Sequence, residues 1–245
     1  MYRRLLAASL MAALSGTASG GDDVHWGYSG EAGPLNWATL SADYRECTAG
    51  HDQSPINLTN LIDAELPPIG IRYVKSTAEV LNNGHTIQVN MIAGSAIAID
   101  GIDFELKQFH FHAPSENQLE GKSFPLEAHL VHADRAGNLA VVAVMFTAGE
   151  ANKVLAQAWR RMPQAKAEKI ALPSGVDPGG MLPADRDYYR FSGSLTTPPC
   201  TEGVRWLVMK QSMTASVAQI DAFVHVIHHP NNRPVQALNA RTVLK

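Results

Sequence analysis

Gln108-Phe109-His110-Phe111-His112 and, further along, Leu126-Glu127-Ala128-His129-Leu130-Val131 are the two segments on which the fold turns. Both read as strands, in which successive side chains point to opposite faces. Gln108, His110 and His112 then share one face, with Phe109 and Phe111 on the other. In the second segment Glu127, His129 and Val131 share a face. If the two strands pair through the connection 113–125, three imidazoles converge on one side of a sheet. Three histidine ligands with a fourth tetrahedral position open is the pattern of a catalytic zinc site. Gln108 and Glu127 each stand two residues before a histidine, on its face, where they can accept the second ring N–H and fix the tautomer. A lone His-x-His is more often a pair of satisfied histidines than a ligand pair; the third histidine and the matching polar offsets favour a metal.

Working outward, alternating or β-branched runs at 69–74, 86–92, 96–99, 104–112, 128–133, 139–146 and 204–210 read as strands. Asn82-Asn83-Gly84, Asp100-Gly101 and Ala136-Gly137-Asn138 are turn signals between them. Two helices are expected. One spans 151–162, with Val154, Leu155, Ala158, Trp159 and Met162 on one face; the other spans 216–229, with Val217, Ile220, Val224 and Ile227. Pro163 and Pro230 stop them. The fold class is α+β, predominantly β: a single domain over 21–245 with a large, twisted, mainly antiparallel central sheet and short peripheral helices.

The chain has 245 residues, with 20 basic and 23 acidic side chains, ten His and two Cys. A formal charge of -3 lacks the basic surplus that phosphate backbones require, so no nucleic-acid partner is expected. Nor is a transmembrane segment expected. Arg3 and Arg4, the apolar stretch Leu5 to Leu14 and the small residues through Gly20 have the layout of a secretory signal peptide over 1–20. Its removal takes the net charge to -5. The destination is periplasmic or secreted. Export makes a single Cys47–Cys200 bridge the preferred reading of the two cysteines, the alternative being two buried free thiols. Such a bridge closes a loop of roughly 150 residues, and chain-entropy arguments assign it about 4 to 5 kcal/mol.

His110-x-His112-xxx-Glu116 also fits the first motif of cupin barrels. Phe104 stands where that motif needs glycine, however, and no PxGxxHxxxN segment follows. The sequence instead resembles the α-class carbonic anhydrases of bacteria, and the resemblance covers nearly all of the chain after the signal segment. It is carried by His25-Trp26-Gly27-Tyr28, Gln53-Ser54-Pro55-Ile56-Asn57, Asn82-Asn83-Gly84-His85, the two histidine segments, Ser194-Leu195-Thr196-Thr197-Pro198-Pro199-Cys200 and Asn232-Arg233-Pro234. It implies Zn2+ on His110, His112 and His129, and hydration of carbon dioxide to bicarbonate by zinc-bound hydroxide. Thr196 would orient that hydroxide and pass its own hydroxyl proton to Glu116. Val131, Val141, Leu195, Val204 and Trp206 would form the apolar wall for carbon dioxide, with Thr197 near the bicarbonate oxygens. The Cys47–Cys200 bridge, sulfonamide and anion inhibition and a possible oligomer are implied as well.

His85 matches the proton-shuttle position of the family. A group of pKa near 7 that loses its proton to water is limited by recapture, roughly 10^9 per molar per second times 10^-7 molar, or about 10^2 per second. Turnover of about 10^6 per second, known for this enzyme class, needs a relay to buffer, which a histidine can supply. Tyr28, Asn82 and Gln88 would line the water chain. His225, His228 and His229 read as a solvated cluster at a helix C-terminus, and His132 as turned to the opposite face from His129. Two departures from the family pattern stand out. Asn117 replaces the usual His, which should alter a hydrogen bond, and Phe191 replaces a Tyr whose hydroxyl would meet Ser54. The competing classes are a metal-free carbonic-anhydrase-related binding module, against which retention of all three histidines argues, and more remotely a cupin-like dioxygenase.

Overall fold

The computed structural model describes residues 24–245, so the expected signal segment lies outside the described residues. In chain order the strands are β1 (Asn57–Leu58), β2 (Gly70–Arg72), β3 (Ser76–Asn82), β4 (Ile87–Met91), β5 (Ala96–Ile99), β6 (Ile102–His112) and β7 (Gln118–Leu119). They continue as β8 (Leu126–Ala133), β9 (Leu139–Ala148), β10 (Lys169–Val176), β11 (Tyr188–Ser194), β12 (Glu202–Met209) and β13 (Met213–Ala215). The helices are α1 (Trp37–Leu40), α2 (Glu46–Ala49), α3 (Lys153–Ala158) and α4 (Val217–Ile227). Among the described residues no helix is long and apolar enough to cross a membrane.

One large sheet runs in the order β10-β3-β4-β6-β8-β9-β12-β11. Its pairs are antiparallel except β12 and β13 on β9, which are parallel, so the sheet is mixed. Asp100 and Gly101 both take positive φ, 53° and 77°, as a tight hairpin between β5 and β6 requires. Besides the two-residue β1 and β7, four strands lacked a sequence signal. β10 is an edge strand carrying Pro173, β11 is the other edge and contains Gly193, β3 alternates toward a buried Asn82, and β13 has three residues. Proline and glycine are tolerated at edges, which erases the usual signature.

Beside the site, the strict period of two fails in β6. Leu106 pairs with His132 and Gln108 with Val131, so Lys107 is an extra residue opposite consecutive partners, a β-bulge. By simple alternation Phe104 and Leu106 would share the histidine face. The bulge shifts the phase, and Phe104, Leu106, Phe109 and Phe111 all enter one core with Leu130, Leu155 and Phe223. On the opposite face Val141, Ala143, Met145, Val204, Trp206 and Val208 form a second apolar layer.

Both helices are shorter than their sequence spans. Asn152 caps α3 by accepting from the N–H groups of Val154 and Leu155. A capping box of Ser216 and Gln219 starts α4. Its buried stripe is Ile220, Phe223, Val226 and Ile227; Val217 and Val224, expected on that face, are exposed. The aromatic Phe223, stacked near Trp159, centres the helix and rotates the two valines outward. Cys47 and Cys200 form a disulfide that ties α2 to the loop after β11.

Candidate active site

The register of β6 against β8 places His110 directly opposite His129 and His112 opposite Glu127. Ligand nitrogens of His110, His112 and His129 all lie within 4.8 Å of one another. The other nitrogen of each ring has a neighbour that accepts. His110 Nδ1 is 2.8 Å from Gln108 Oε1, His112 Nδ1 is 2.7 Å from the carbonyl oxygen of Asn231, and His129 Nε2 is 2.9 Å from Glu127 Oε1, somewhat off the line of an ideal hydrogen bond. A ring N–H facing an acceptor leaves the remaining nitrogen with its lone pair. Burial, together with the neighbouring rings, holds His110 and His129 well below the usual imidazole range; burial lowers His112 too. All three are therefore neutral donors, the form a metal needs.

Glu116 lies beneath the cluster. Its Oε1 accepts from the main-chain N–H of Arg233 at 2.9 Å, and its Oε2 is buried without a hydrogen-bond partner 3.4 Å from His112 Nε2. Burial pushes its pKa up to about 8, opposed by the Arg233 N–H and the Thr196 side chain. Orphaned His112 Nε2 and Glu116 Oε2 facing one point, in an all-imidazole donor set, fit a divalent cation of the zinc type. Glu127 is held by Asn117: its Oε2 accepts from the N–H groups of Glu116 and Asn117, its Oε1 from Asn117 Nδ2 at 2.8 Å. The altered bond expected at Asn117 is thus a clamp on the carboxylate that faces His129.

Val131 pairs with Val141, and Val141 with Trp206, in one row across β8, β9 and β12. Val141, Val204 and Trp206 are buried there, with Val131 and Leu195 packed against them, and the Trp206 ring lies 4.9 Å from that of His129. The apolar wall therefore adjoins the imidazoles. Thr196 is buried and Thr197 half-buried in the loop after β11. Phe191 stacks on Trp206, and the Ser194 N–H donates to Ser54 Oγ at 3.1 Å.

At the mouth, Gln88 pairs in register with His110 and accepts from Asn83 Nδ2 at 3.4 Å. Asn82 is not brought to this water path. It is buried, with Nδ2 directed to the carbonyl oxygen of Pro163 and Oδ1 accepting from Gly84, and its neighbour Asn83 faces Gln88 instead. Strand alternation explains the exchange. Asn82 ends the core-facing row of β3, and the chain then turns at Gly84, φ 86°. His132, as expected, is on the far face, where Tyr73 meets its Nε2 at 2.7 Å.

Arg233 and Asn231 had no role in the sequence reading. Arg233 is buried, donating to Gln53 Oε1, to the carbonyl oxygens of Ser54 and Cys47, and lying over the Trp37 ring; burial lowers its pKa to about 10. Asn231 donates to the carbonyl oxygens of His85 and Phe111 and accepts from Ala113 N–H. The only sequence signal was the Asn232-Arg233-Pro234 motif, which says nothing of these contacts.

A family model for eukaryotic-type carbonic anhydrase matches residues 32–245. The chain belongs to the α-carbonic anhydrase family. It is therefore an enzyme of the carbonic anhydrase class. It is 47% identical over 241 residues to a carbonic anhydrase of Pectobacterium carotovorum, covering 98% of both chains. A carbonic anhydrase of Neisseria gonorrhoeae is 46% identical over 244 residues, covering 99% of this chain and 96% of the relative. Among solved structures, the α-carbonic anhydrase from Thermovibrio ammonificans in complex with the inhibitor sulfanilamide superposes with a TM-score of 0.89 at 49% identity, covering 91% of this chain and all of that one.

Proposed function

We propose that this chain catalyses the reversible hydration of carbon dioxide to bicarbonate and a proton, with Zn2+ held by His110, His112 and His129. The observation that carries the reading is the convergence of three neutral imidazoles, His112 and His129 buried and His110 half-buried, each with an acceptor at its outer nitrogen. When bound, the metal lowers the pKa of water at its open position to about 7, a figure known for carbonic anhydrases. Glu116 accepts the Thr196 hydroxyl proton, so the Thr196 oxygen must in turn accept from the reacting water and aim its lone pair at the substrate. A cation at the imidazole cluster favours the carboxylate form of Glu116 against burial. Carbon dioxide has neither charge nor hydrogen-bond donor; Val131, Val141, Leu195, Val204 and Trp206 give it an apolar wall, and Thr197 a polar edge for the bicarbonate formed. His85 takes the released proton at the cleft mouth through water held by Tyr28, Asn83 and Gln88. Tyr28 is kept protonated, since burial and Glu116 push its pKa well above the ordinary value.

The Cys47–Cys200 disulfide fits an oxidising, exported setting, periplasmic or secreted. An aromatic sulfonamide should occupy the metal's open position and inhibit. Stopped-flow carbon dioxide hydration on purified protein, with and without a chelator and sulfanilamide, tests the reading. Zinc-replete protein with no hydration above the buffer rate overturns it in favour of a silent binding module, and iron in place of zinc would favour the dioxygenase.

A further inference from the structure

The cleft mouth holds a second imidazole that the reading above, on which this inference rests, leaves idle. His85 lies face to face on Trp26, ring centroids 3.7 Å and planes 6° apart. Partial burial first, then Lys166, His25 and His229, push its pKa down to about 4. A base that weak accepts a proton from a donor of pKa near 7 only against an equilibrium of about a thousandfold. Tyr28 stands between this ring and another, its ring centroid 6.4 Å from His85 and 5.9 Å from His229.

His229 owes its place to how α4 ends. His228 takes the left-handed conformation, φ 64°, and turns the chain off the helix axis. His225 and His228 stay together, ring centroids 5.6 Å apart, while His229 lies beside Tyr28 instead of joining them. His229 Nδ1 is 3.0 Å from the carbonyl oxygen of Pro230, which can only accept, so the ring proton sits on Nδ1 and Nε2 keeps its lone pair. The residue is exposed, in reach of buffer. Two residues on, Asn231 binds His112 through its carbonyl oxygen and the His85 carbonyl through its amide, so this short segment is anchored both to the metal site and to the first relay.

We propose that His229 is a second proton-relay residue, taking protons that leave the cleft past Tyr28 and handing them to buffer in parallel with His85. Each hydration releases one proton. It binds His229 Nε2, giving an imidazolium, and a buffer base removes it to restore the neutral ring; no electron or further reactant is involved.

Oxygen-18 exchange between carbon dioxide and water at chemical equilibrium separates interconversion from the proton transfer that releases labelled water. On the zinc-loaded full chain in weak buffer, His229→Ala should lower the proton-transfer rate about threefold to tenfold relative to interconversion. His85→Ala/His229→Ala should fall below either single variant, and added imidazole should restore much of the loss. Unchanged proton transfer in His229→Ala, both alone and in the His85→Ala background, overturns the proposal, as does a loss that imidazole fails to rescue. Absence of any interconversion in the unsubstituted protein is a different result, and would count against the proposed function itself.

Discussion

His110, His112 and His129 come from two neighbouring strands and meet because of a register, whereas Asn231 and Arg233 come from the irregular segment after α4 and reach the same site through hydrogen bonds, with His229 of that segment beside the Tyr28 ring. The strand side is specified by periodicity. Once Phe109 and Phe111 enter the core, the histidines can face only the cleft. The loop side has no such rule, and its residues are held by carbonyls and carboxylates contributed from distant parts of the chain. The strand wall supplies the ligands and the acceptors of His110 and His129; the loop wall supplies the acceptor of His112 and holds the carboxylate beneath the cluster.

Removing a ligand tests the strand side most severely. For His112→Ala we expect zinc content near zero by metal analysis and a hydration rate lowered at least about 10^3-fold, since the acidified water is lost. Retained zinc with normal turnover would break the assignment of the ligand set. On the loop side Arg233→Met should cost stability instead, about 3 kcal/mol or more, because Glu116 and three acceptors lose a buried cation. A urea midpoint unchanged from the parent would show that the segment is not anchored by Arg233.

Acid should act through the far face of the sheet. Burial lowers the His132 pKa to about 4, below the ordinary value of 6.5, so the unfolded chain binds the extra proton first. The contribution of this group is complete above pH 6.5 and is lost as the pH falls toward 4, amounting to about 3 kcal/mol. Comparing the pH dependence of unfolding for the parent and His132→Gln isolates it; parallel curves would refute the effect. The smallest effect bears on the two walls directly. Gln108→Ala removes the strand-borne acceptor of His110, and Asn231→Ala loosens the loop-borne acceptor of His112. Each should weaken zinc binding about 10-fold to 100-fold in competition with a chelator. A loss for Gln108 alone would mean that the loop's main chain holds its position without the Asn231 amide.

What the sequence made legible follows the same division. Alternation in 108–112 and 126–131 was enough to place the imidazoles with Gln108 and Glu127, and the Asp100-Gly101 turn appears where its residues imply. Asn82 shows the limit: Asn82 and Asn83 are the same residue type in one turn, and only the end of β3 decides which faces Gln88. Asn231 acts on His112 through its main chain, which no residue type announces. His229 was read from its place at a helix C-terminus, but the left-handed turn at His228 takes it away from that helix. β10 and β11, at the sheet edges, carry the Pro and Gly that hide a strand.

The bulge at Lys107 has a consequence for how this sequence can vary. Lys107 is exposed and meets only Glu105, so many side chains would serve there. The position itself can be spared as well. Deleting it would set Leu106 beside Gln108 opposite His132 and Val131, an unbroken ladder in which Phe104, Leu106, Phe109 and Phe111 keep to the core while Gln108, His110 and His112 keep to the other face. Lys107 is thus a slack residue: length polymorphism should be tolerated there, whereas losing one residue between Gln108 and His112 would carry part of the histidine row to the wrong face.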